Sequence, residues 1–183
     1  MTLYFITGNK HKYEQVRAIL HPEIKIEQMD IDLDEIQEID SHKVLEHKLR
    51  DAQTKHKGEF LVEDTSLYIE AFGQLPGPLI KWFLKGWGKE GIYNATQKLG
   101  NISAKGKCIF AYSNGKEIKF FEGDIEGEIA KPGKDDGFGW NPIFKPKGAG
   151  KVLSEMTPEE KIKIGMRKKA LENFKEYYLK TNE

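Results

Sequence analysis

The first residues with a chemical pattern lie at a turn near the N-terminus. The apolar run Leu3–Ile6 stops at Thr7-Gly8-Asn9, and apolar residues then recur at helical spacing as far as residue 20. A turn between a strand and a helix exposes unpaired backbone N–H groups at the positive end of the helix dipole, where a phosphate can bind. Lys10 and Lys12 add positive charge beside it. Because the pattern is not the glycine-rich loop that ends in Gly-Lys-Ser/Thr, the turn indicates either a phosphate site or plain strand–helix architecture.

Acidic residues at two places form a candidate metal site. Glu63 and Asp64 stand where the buried strand 60–62 emerges, and Asp32, Asp34 and Glu35 form a separate acidic run. Carboxylates brought together from two such places make an oxygen-rich site for a hard cation such as Mg²⁺. A triphosphate carries about four negative charges, which require metal and lysine together. Two solvated acidic loops are the alternative interpretation.

Arg167 and the segment Gly137-Phe138-Gly139-Trp140 are the remaining candidates. Arg167 falls on the edge of a buried helical stripe, because Phe174 and Tyr178 follow it at seven and eleven residues. Such an arginine needs an anionic or hydrogen-bonding partner unless its side chain extends to solvent. Two aromatic rings on a glycine-rich loop suit the stacking of a base, although they also suit core packing.

Composition limits the classes of function. The 183 residues fit one domain, expected to cover 1–183 as a single unit. Lys plus Arg (29) balance Asp plus Glu (29), so there is no global positive field to gather nucleic acid or anionic lipid, and neither a nucleic acid nor a membrane is expected as partner. The single Cys108 excludes an internal disulfide and favours a reducing compartment. With no signal peptide and no membrane-spanning run, the sequence predicts a cytoplasmic protein.

The elements expected to position these residues alternate between strand and helix in the first half. Leu3–Ile6 is a strand before a helix, 24–26 is a second strand, and Ser41 caps the next helix. Residues 60–62 form a strand that ends at Glu63-Asp64, and 67–72 are extended. Residues 75–78 form a rigid turn before a helix, which is interrupted at 86–88.

The second half is predicted to be antiparallel. Strands 109–112 and 118–121 join across Ser113-Asn114-Gly115, a third strand covers 124–130, and 142–144 return to the sheet after the loop 131–140. Thr157-Pro158-Glu159-Glu160 is a helix start, and that helix is expected to run almost to the C-terminus. The predicted fold class is therefore mixed α/β.

Taken together, these segments resemble the inosine triphosphate pyrophosphatases, also called noncanonical purine nucleoside triphosphate pyrophosphatases. The resemblance runs through nearly the whole chain, with seven segments in the order of the family. They are Thr7-Gly8-Asn9 with Lys12, Ile31-Asp32-Leu33-Asp34-Glu35, Val62-Glu63-Asp64-Thr65, Leu75-Pro76-Gly77-Pro78 with Lys81-Trp82-Phe83-Leu84, Gly137-Phe138-Gly139-Trp140, Ser154-Glu155-Met156, and Lys161 with Arg167.

The resemblance implies an elongated, two-lobed α/β fold with a mixed sheet and the active site in the central cleft. It also implies a homodimer and a requirement for Mg²⁺, with Mn²⁺ as the alternative. The implied enzyme is a hydrolase acting on acid anhydrides, in which water attacks the α-phosphorus of a nucleoside triphosphate to give the monophosphate and pyrophosphate. Its expected role is house-cleaning, the removal of inosine, deoxyinosine and xanthosine triphosphates from the nucleotide pool.

By position, the resemblance assigns metal binding to Glu35 and Asp64, and catalysis to Asp64, as the base for the attacking water, and to Lys12. Displacement at phosphorus depends mainly on positioning and charge neutralisation, which lysines, metal and helix N–H groups supply. The substrate-binding positions are Thr7, Gly8, Asn9, Lys10, Lys12, Lys48, Thr65, Lys81, Phe138, Gly139, Trp140, Asn141, Lys161, Met166 and Arg167.

Three positions depart from the family pattern. Asn141 stands where the family usually has aspartate, and Gly165-Met166 stand where it usually has Ser-His. All three fall on positions that resemble the base-reading edge of the family, whereas the positions that resemble its triphosphate and metal sites are intact. Methionine cannot give the hydrogen bonds that histidine gives to a 6-keto purine, and losing a paired donor in a buried site costs ~1–3 kcal/mol.

These departures lead to the hypothesis that the chemistry is kept while base selection is relaxed or redirected. Two alternatives stay open. One is a pyrophosphatase for another modified or deoxynucleoside triphosphate, and the other is a nucleotide-binding protein without turnover.

Overall fold

The computed structural model describes residues 2–135 and 137–181, and Asp136 of the predicted loop 131–140 lies outside them. The strands are β1 (Leu3–Ile6), β2 (Ile26–Met29), β3 (Glu59–Ile69), β4 (Pro76–Gly77), β5 (Ser103–Ser113), β6 (Ile118–Ile129) and β7 (Phe144–Pro146). The helices are α1 (Lys10–Leu20), α2 (Ser41–Lys55), α3 (Ile80–Leu99), α4 (Pro158–Ile164) and α5 (Met166–Thr181), and single 3-10 turns cover Glu70–Phe72, Asn141–Ile143 and Leu153–Glu155.

The strands form one mixed sheet in the order β2-β1-β3-β5-β6-β7, with β4 pairing on β3. β1 is parallel to β2 and β3, whereas β4 to β7 join by antiparallel pairing. The mixed α/β class and the change to antiparallel pairing in the second half are thereby confirmed.

Helices cover both faces of this sheet. On one face, α1 and α5 bury Val16, Leu20 and Phe174 against Leu61 and Phe110 of the sheet. On the other face, α2 packs its apolar side against β3 and β5. Further along the sheet, α3 and the region around residue 144 form a third apolar cluster. Within residues 2–135 and 137–181, no helix combines the length and apolar character needed to cross a membrane.

Two predicted strand ends were wrong, because charged or small residues were taken as breaks. β3 does not stop at Glu63-Asp64 but continues to Ile69, so the extended segment predicted at 67–72 is the end of β3 followed by a 3-10 turn. β6 likewise unites the strands predicted at 118–121 and 124–130. Gly123 lies in its middle because α5 packs so closely that a Cβ there would stand 2.0 Å from the carbonyl oxygen of Met166.

Helix ends also required correction. Asp40 is the cap of α2, and its carboxylate accepts a hydrogen bond from His42 N, so Ser41 is already the first helical residue. The capping box at Thr157 and Glu160 is confirmed, but the helix that it starts ends at Ile164 and a second one begins at Met166. The predicted interruption at 86–88 is confirmed as a kink at Gly88, whose φ is +70°.

The strand predicted at 109–112 begins earlier, because β5 covers Ser103–Ser113. The other shifts are small. The second strand covers Ile26–Met29 instead of 24–26, because its residues pair with the whole of β1. Residues 142–144 were predicted to return to the sheet as a strand, but only Phe144 belongs to β7. Asn141–Ile143 form a 3-10 turn instead. The predicted hairpin between β5 and β6 is confirmed, but Ser113 still belongs to β5 and pairs with Ile118, so residues 114–117 form the connection.

Candidate active site

A break in strand pairing defines the site. On the edge away from β5, β3 pairs with β1 at residues 59–61 and with β4 at residues 67–68. Within the part of the chain that the structure describes, residues 62–66 therefore have no strand partner on that side. A cleft of about 500 Å³ opens there. Its lining contains Thr7, Gly8, Lys12, Asp32, Glu35, Lys48 and Glu63, together with apolar residues of β1, β3 and the segment after β2.

The turn Thr7-Gly8-Asn9 forms one wall of this cleft. Asn9 caps α1 by accepting a hydrogen bond from Lys12 N, and Thr7 Oγ1 accepts one from Asn9 N. A Cβ on Gly8 would approach Asp30 Oδ1 to 3.0 Å, so the glycine lets the turn pack on the segment after β2. The expected strand, turn and helix are confirmed, and the dipole of α1 adds partial positive charge at this turn.

Glu63 lies at the centre of a buried ion-pair cluster on the α1 and α5 face of the sheet. Its carboxylate receives hydrogen bonds from Arg167 Nη2 (2.8 Å) and Arg167 Nε (3.2 Å), and Lys12 Nζ lies 3.3 Å from Oε1. Thr65 Oγ1 also donates to Oε1. The anionic partner predicted for Arg167 therefore exists, although the sequence did not single out Glu63 for this role.

The charges of this cluster determine the ionisation of Glu63. Burial would raise the pKa of Glu63, but the charges of Arg167 and Lys12 and the hydrogen bonds from Arg167 and Thr65 outweigh burial and hold the pKa well below its usual range. Burial would conversely lower the pKa of Arg167, and the Glu63 carboxylate raises it. The pair is thus fully ionised at neutral pH.

Asp64 faces the opposite side of the sheet from Glu63, because successive side chains of a strand alternate. Its Oδ2 accepts hydrogen bonds from Ser41 Oγ of α2 (3.1 Å) and from Ser66 Oγ of β3. Asp64 also lines a smaller recess that continues from the main cleft, together with Glu35, Lys48, Lys81 and Trp82. Of the predicted site residues, Glu35 and Lys48 belong to both cavities.

Three lysine charges act on Glu35. Lys48 Nζ lies 2.5 Å from Glu35 Oε1. Burial would raise the pKa of Glu35, but the hydrogen bond from Lys48 and the charges of Lys48, Lys81 and Lys12 lower it below its usual value. Lysines from α1, α2 and α3 are therefore close enough to one carboxylate to influence its ionisation.

The aromatic segment 137–140 places its two rings differently. Phe138 is exposed and packs edge-on against His11 of α1, with ring centroids 6.0 Å apart. Trp140 is only 5% exposed and belongs to the core, where it packs on Phe144. The expectation of two rings on an open loop is thus right for Phe138, whereas Trp140 has the core environment that was the alternative.

Met166 lies beside Trp140 at the start of α5. The Met166 Sδ and the Trp140 ring both pack over Gly106 of β5, where a Cβ would approach them to 3.3 and 2.8 Å. Asn141 begins the 3-10 turn after Trp140, and its backbone N–H donates to the Phe138 carbonyl (3.0 Å). Met166 directly precedes Arg167 in α5, and Met166, Trp140 and Asn141 lie outside the lining of the two cavities.

The other predicted positions occupy the surroundings. Lys10 is the exposed first residue of α1. The Thr65 hydroxyl donates a hydrogen bond to the Glu63 carboxylate. Gly139 has a positive φ of +48°, which lets the loop turn at this residue. Lys161 is half-buried on α4, between the capping box and the break at Gly165. The sequence indicated Glu63 as a candidate metal carboxylate, whereas the structure pairs it with Arg167 and Lys12. Sequence reasoning missed Gln15, which accepts a hydrogen bond from Arg167 Nη1, and the hydroxyl groups around Asp64.

The fold and the site define a mixed α/β protein with a charged cleft at the open edge of its central sheet. A profile of the Ham1 family matches residues 3–177. The chain therefore belongs to the Ham1 family.

Individual relatives agree with this assignment. The inosine triphosphate pyrophosphatase of Schizosaccharomyces pombe is 42% identical over 162 residues, which cover 87% of this chain and 86% of that protein. The inosine triphosphate pyrophosphatase of Neurospora crassa is 42% identical over 178 residues, covering 96% and 92%. The resemblance found in the sequence is confirmed.

Solved structures confirm the fold. The Ham1 protein of Staphylococcus aureus has a TM-score of 0.80 at 23% identity, with 100% of both chains covered. A nucleoside-triphosphatase / dITP/XTP pyrophosphatase from Mycobacterium abscessus has a TM-score of 0.77 at 21% identity, covering 95% of this chain and 98% of that one.

Proposed function

We propose that this chain hydrolyses nucleoside triphosphates to the monophosphate and pyrophosphate with a bound divalent metal, and that its substrates include noncanonical purine nucleotides. The observation that carries the proposal is the convergence of Lys12, Lys48 and Lys81 on Glu35 beside Asp64, in a cleft bordered by the Thr7-Gly8-Asn9 turn. Relatives named inosine triphosphate pyrophosphatase, at about 40% identity, give the substrate class.

The donor set fits Mg²⁺, or Mn²⁺, held between protein and substrate. Within residues 2–135 and 137–181, no group of three or more His, Cys, Asp or Glu side chains is arranged to hold a metal. Mg²⁺ commonly binds one or two protein carboxylates and takes its other ligands from substrate phosphates and water. Glu35 and Asp64 would hold such an ion, which would neutralise phosphate charge and polarise the reacting phosphoryl group.

The protein side chains then have separate tasks. Lys12, Lys48 and Lys81 neutralise the triphosphate, and the turn with Thr7, Asn9 and the α1 N–H groups fixes its position. Asp64 takes the proton from the water that attacks the α-phosphorus. Pyrophosphate is released, and the nucleoside monophosphate keeps the α-phosphate. Positioning and charge neutralisation supply most of the rate enhancement in such displacements.

A second candidate, in which the chemistry is kept but another base is preferred, has a specific observation in its favour. Met166 turns its thioether onto Gly106 beside Trp140, so an apolar surface stands where the family usually presents a histidine. Arg167 is already held by Glu63 and Gln15 and would need to share its donors with a keto oxygen. Both features favour relaxed or redirected base selection.

The proposal also includes a homodimer in the cytoplasm, which binds a nucleoside triphosphate and neither nucleic acid nor a membrane. The homodimer is supported by the resemblance to the family, and the compartment by the reduced Cys108, which is buried. Light scattering coupled to size-exclusion chromatography tests the dimer, which a single species of about 21 kDa would contradict.

A substrate panel tests reaction type and base choice together. Purified protein with Mg²⁺ is supplied with inosine, xanthosine, deoxyinosine and the standard nucleoside triphosphates, and pyrophosphate and orthophosphate are measured separately. Pyrophosphate without orthophosphate is expected. Orthophosphate release would contradict the proposed cleavage to monophosphate and pyrophosphate. Nucleotide binding without any product would favour the alternative of a nucleotide-binding protein.

Asp64→Asn tests the assigned base. General-base catalysis typically contributes about 10²–10⁴-fold, so we expect pyrophosphate release to fall by at least about 10²-fold. Asp124→Asn, which changes an exposed carboxylate of β6 paired with Lys105, is the matched control and is expected to keep wild-type rates. Equal rates in the two variants would remove Asp64 from the mechanism.

A further inference from the structure

Two hydroxyl groups contact the side chain of Asp64, and a third contacts one of those two. Ser41 Oγ and Ser66 Oγ both donate to Asp64 Oδ2, and the two serine oxygens lie 3.1 Å apart. Tyr68 Oη lies 3.3 Å from Ser41 Oγ. The two serines are 3% and 1% exposed. Ser66 and Tyr68 follow Asp64 at two and four residues on β3, and so share its face of the sheet, whereas Ser41 comes from α2.

The number of available protons fixes the direction, from donor to acceptor, of the hydrogen bonds in this cluster. Each hydroxyl has a single proton to donate, and an ionised carboxylate can only accept. If Ser41 and Ser66 both donate to Asp64, neither has a proton left for the other. Ser41 Oγ can then accept only from Tyr68. The donations therefore run from Tyr68 to Ser41 and from both serines to Asp64.

The consequence is that the two oxygens of Asp64 differ. Both serines contact Oδ2, and no hydrogen bond from the described residues reaches Oδ1. Rotation of the carboxylate would break two buried hydrogen bonds, and each donor left unsatisfied is costly. Oδ1 is thus the oxygen left for a water molecule or another ligand in the recess that Asp64 shares with Glu35 and Lys48.

We propose that Ser41 and Ser66 are positioning residues that fix the Asp64 carboxylate for the hydrolytic reaction, with Tyr68 orienting the hydroxyl of Ser41. The proposal rests on the function proposed above for Asp64. Ser41 lies at the start of α2, the helix that also carries Lys48. One hydroxyl therefore links the position of a phosphate-binding lysine to the orientation of the reacting carboxylate.

The test compares Ser41→Ala, Ser66→Ala and Tyr68→Phe with Ser113→Ala. Ser113 is a matched control, because it is a serine of the neighbouring strand, 1% exposed, whose hydroxyl donates to the Glu117 carbonyl and accepts from Gln53. Removing a hydrogen-bonding partner behind a reacting or ligating group typically costs about 10–100-fold in activity. We expect kcat for the best nucleotide of the panel to fall by that factor in both serine variants, with KM within about two-fold, and by less in Tyr68→Phe.

Two further measurements separate positioning from general destabilisation. The thermal unfolding midpoints of the serine variants should match that of Ser113→Ala, whose kcat should stay at the wild-type value. Ser41→Thr keeps the hydroxyl and should recover most of kcat. An unchanged kcat in Ser41→Ala and Ser66→Ala, or a loss that Ser113→Ala shares, would overturn the positioning role.

The failure of this inference can be told apart from failure of the function. If the wild-type protein releases pyrophosphate, and Asp64→Asn does not, while the serine variants equal wild type, only the positioning role is wrong. If the wild-type protein releases no pyrophosphate from any nucleotide, the proposed function falls and the positioning role falls with it.

Discussion

Two ends of the proposed site differ in how they are built. The proposed phosphate end (Thr7, Lys12, Glu35, Lys48, Asp64 and Lys81) takes four of its six residues from helices and a strand. The proposed base end (Phe138, Trp140, Asn141, Met166 and Arg167) takes three of its five from a loop and a 3-10 turn. Asp64 lies within a strand and Lys48 within a helix, and the turn at Thr7 is tied to β2 by the hydrogen bond from Thr7 N to the Met29 carbonyl. Phe138 lies on an exposed loop. We propose that the end with more residues in helices and strands cuts any triphosphate, and that the end with more loop residues chooses among bases.

One residue joins the two ends. Glu63 forms ion pairs with Lys12 of the phosphate end and with Arg167 of the base end. We therefore expect a substitution at any other site residue to change either the rate of hydrolysis or the base preference. A substitution at Glu63 should change both.

Glu63→Gln should have the largest effect. It removes the charge that compensates two cations, and breaking a buried ion pair on one side typically costs about 3–5 kcal/mol in the free energy of unfolding. Urea unfolding measures the loss. Glu59→Gln is the control on the same strand, because that buried carboxylate accepts a hydrogen bond from Tyr178 Oη (2.9 Å) and should lose only about 1 kcal/mol. Equal losses would show that the Glu63 ion pairs add nothing beyond burial.

The same carboxylate should make stability fall in acid. The pKa of Glu63 is lowered in the folded protein, while an unfolded glutamate titrates near ~4.3. Its stabilisation is complete above that value and is lost as the pH falls below it, because the unfolded chain then binds the proton first. The free energy of unfolding measured between pH 6 and pH 3 should drop more in the wild type than in Glu63→Gln, and parallel curves would contradict the assignment.

Lys48→Met tests the phosphate end alone. Removing one charge that neutralises the triphosphate should lower kcat/KM about 10²-fold, and by the same factor for every base in the panel. Lys43→Met, at an exposed lysine of the same helix paired with Glu38, is the control and should leave kcat/KM unchanged. A loss that depends on the base would mean that the two ends are not separate.

Met166→His tests the base end and should have the smallest effect. A histidine there restores a donor, so the preference for inosine over adenosine triphosphate should rise about ten-fold, with kcat/KM for the better substrate little changed. Ratios of kcat/KM measure it, and Met156→His is the control, because Met156 is a partly buried methionine that packs on the same apolar cluster as Met166. An unchanged ratio would show that residue 166 does not read the base.

Local sequence predicted much of this structure, and contacts between distant segments account for what it missed. The turn after β1, the capping box at Thr157 and the kink at Gly88 depend on neighbouring residues, and all were found. β3 and β6 were broken too early, because Glu63 and Gly123 are tolerated in strands only through α5, which is distant in sequence. The sequence indicated that Arg167 needs an anion but could not say which one.

The hydroxyl groups around Asp64 also combine a local sequence pattern with a contact between distant segments. Their two-residue spacing on β3 was visible in the sequence as Asp64, Ser66 and Tyr68, but it has meaning only once 62–66 are known to be strand. Ser41 could not be found from the sequence, because its contact with Asp64 depends on where α2 packs. The roles assigned to the site residues remain predictions for the experiments above.

The unpaired stretch of β3 has a consequence for the behaviour of the protein in a crowded solution. An open strand edge is a template on which a second chain can add and begin to aggregate. Here the free stretch spans residues 62–66, roughly 17 Å at the usual rise per residue, and is closed at both ends by β1 and β4. It also carries two adjacent carboxylates. This segment is too short for stable pairing with a strand of another molecule. The chain can therefore leave backbone groups accessible to a small ligand without promoting self-association.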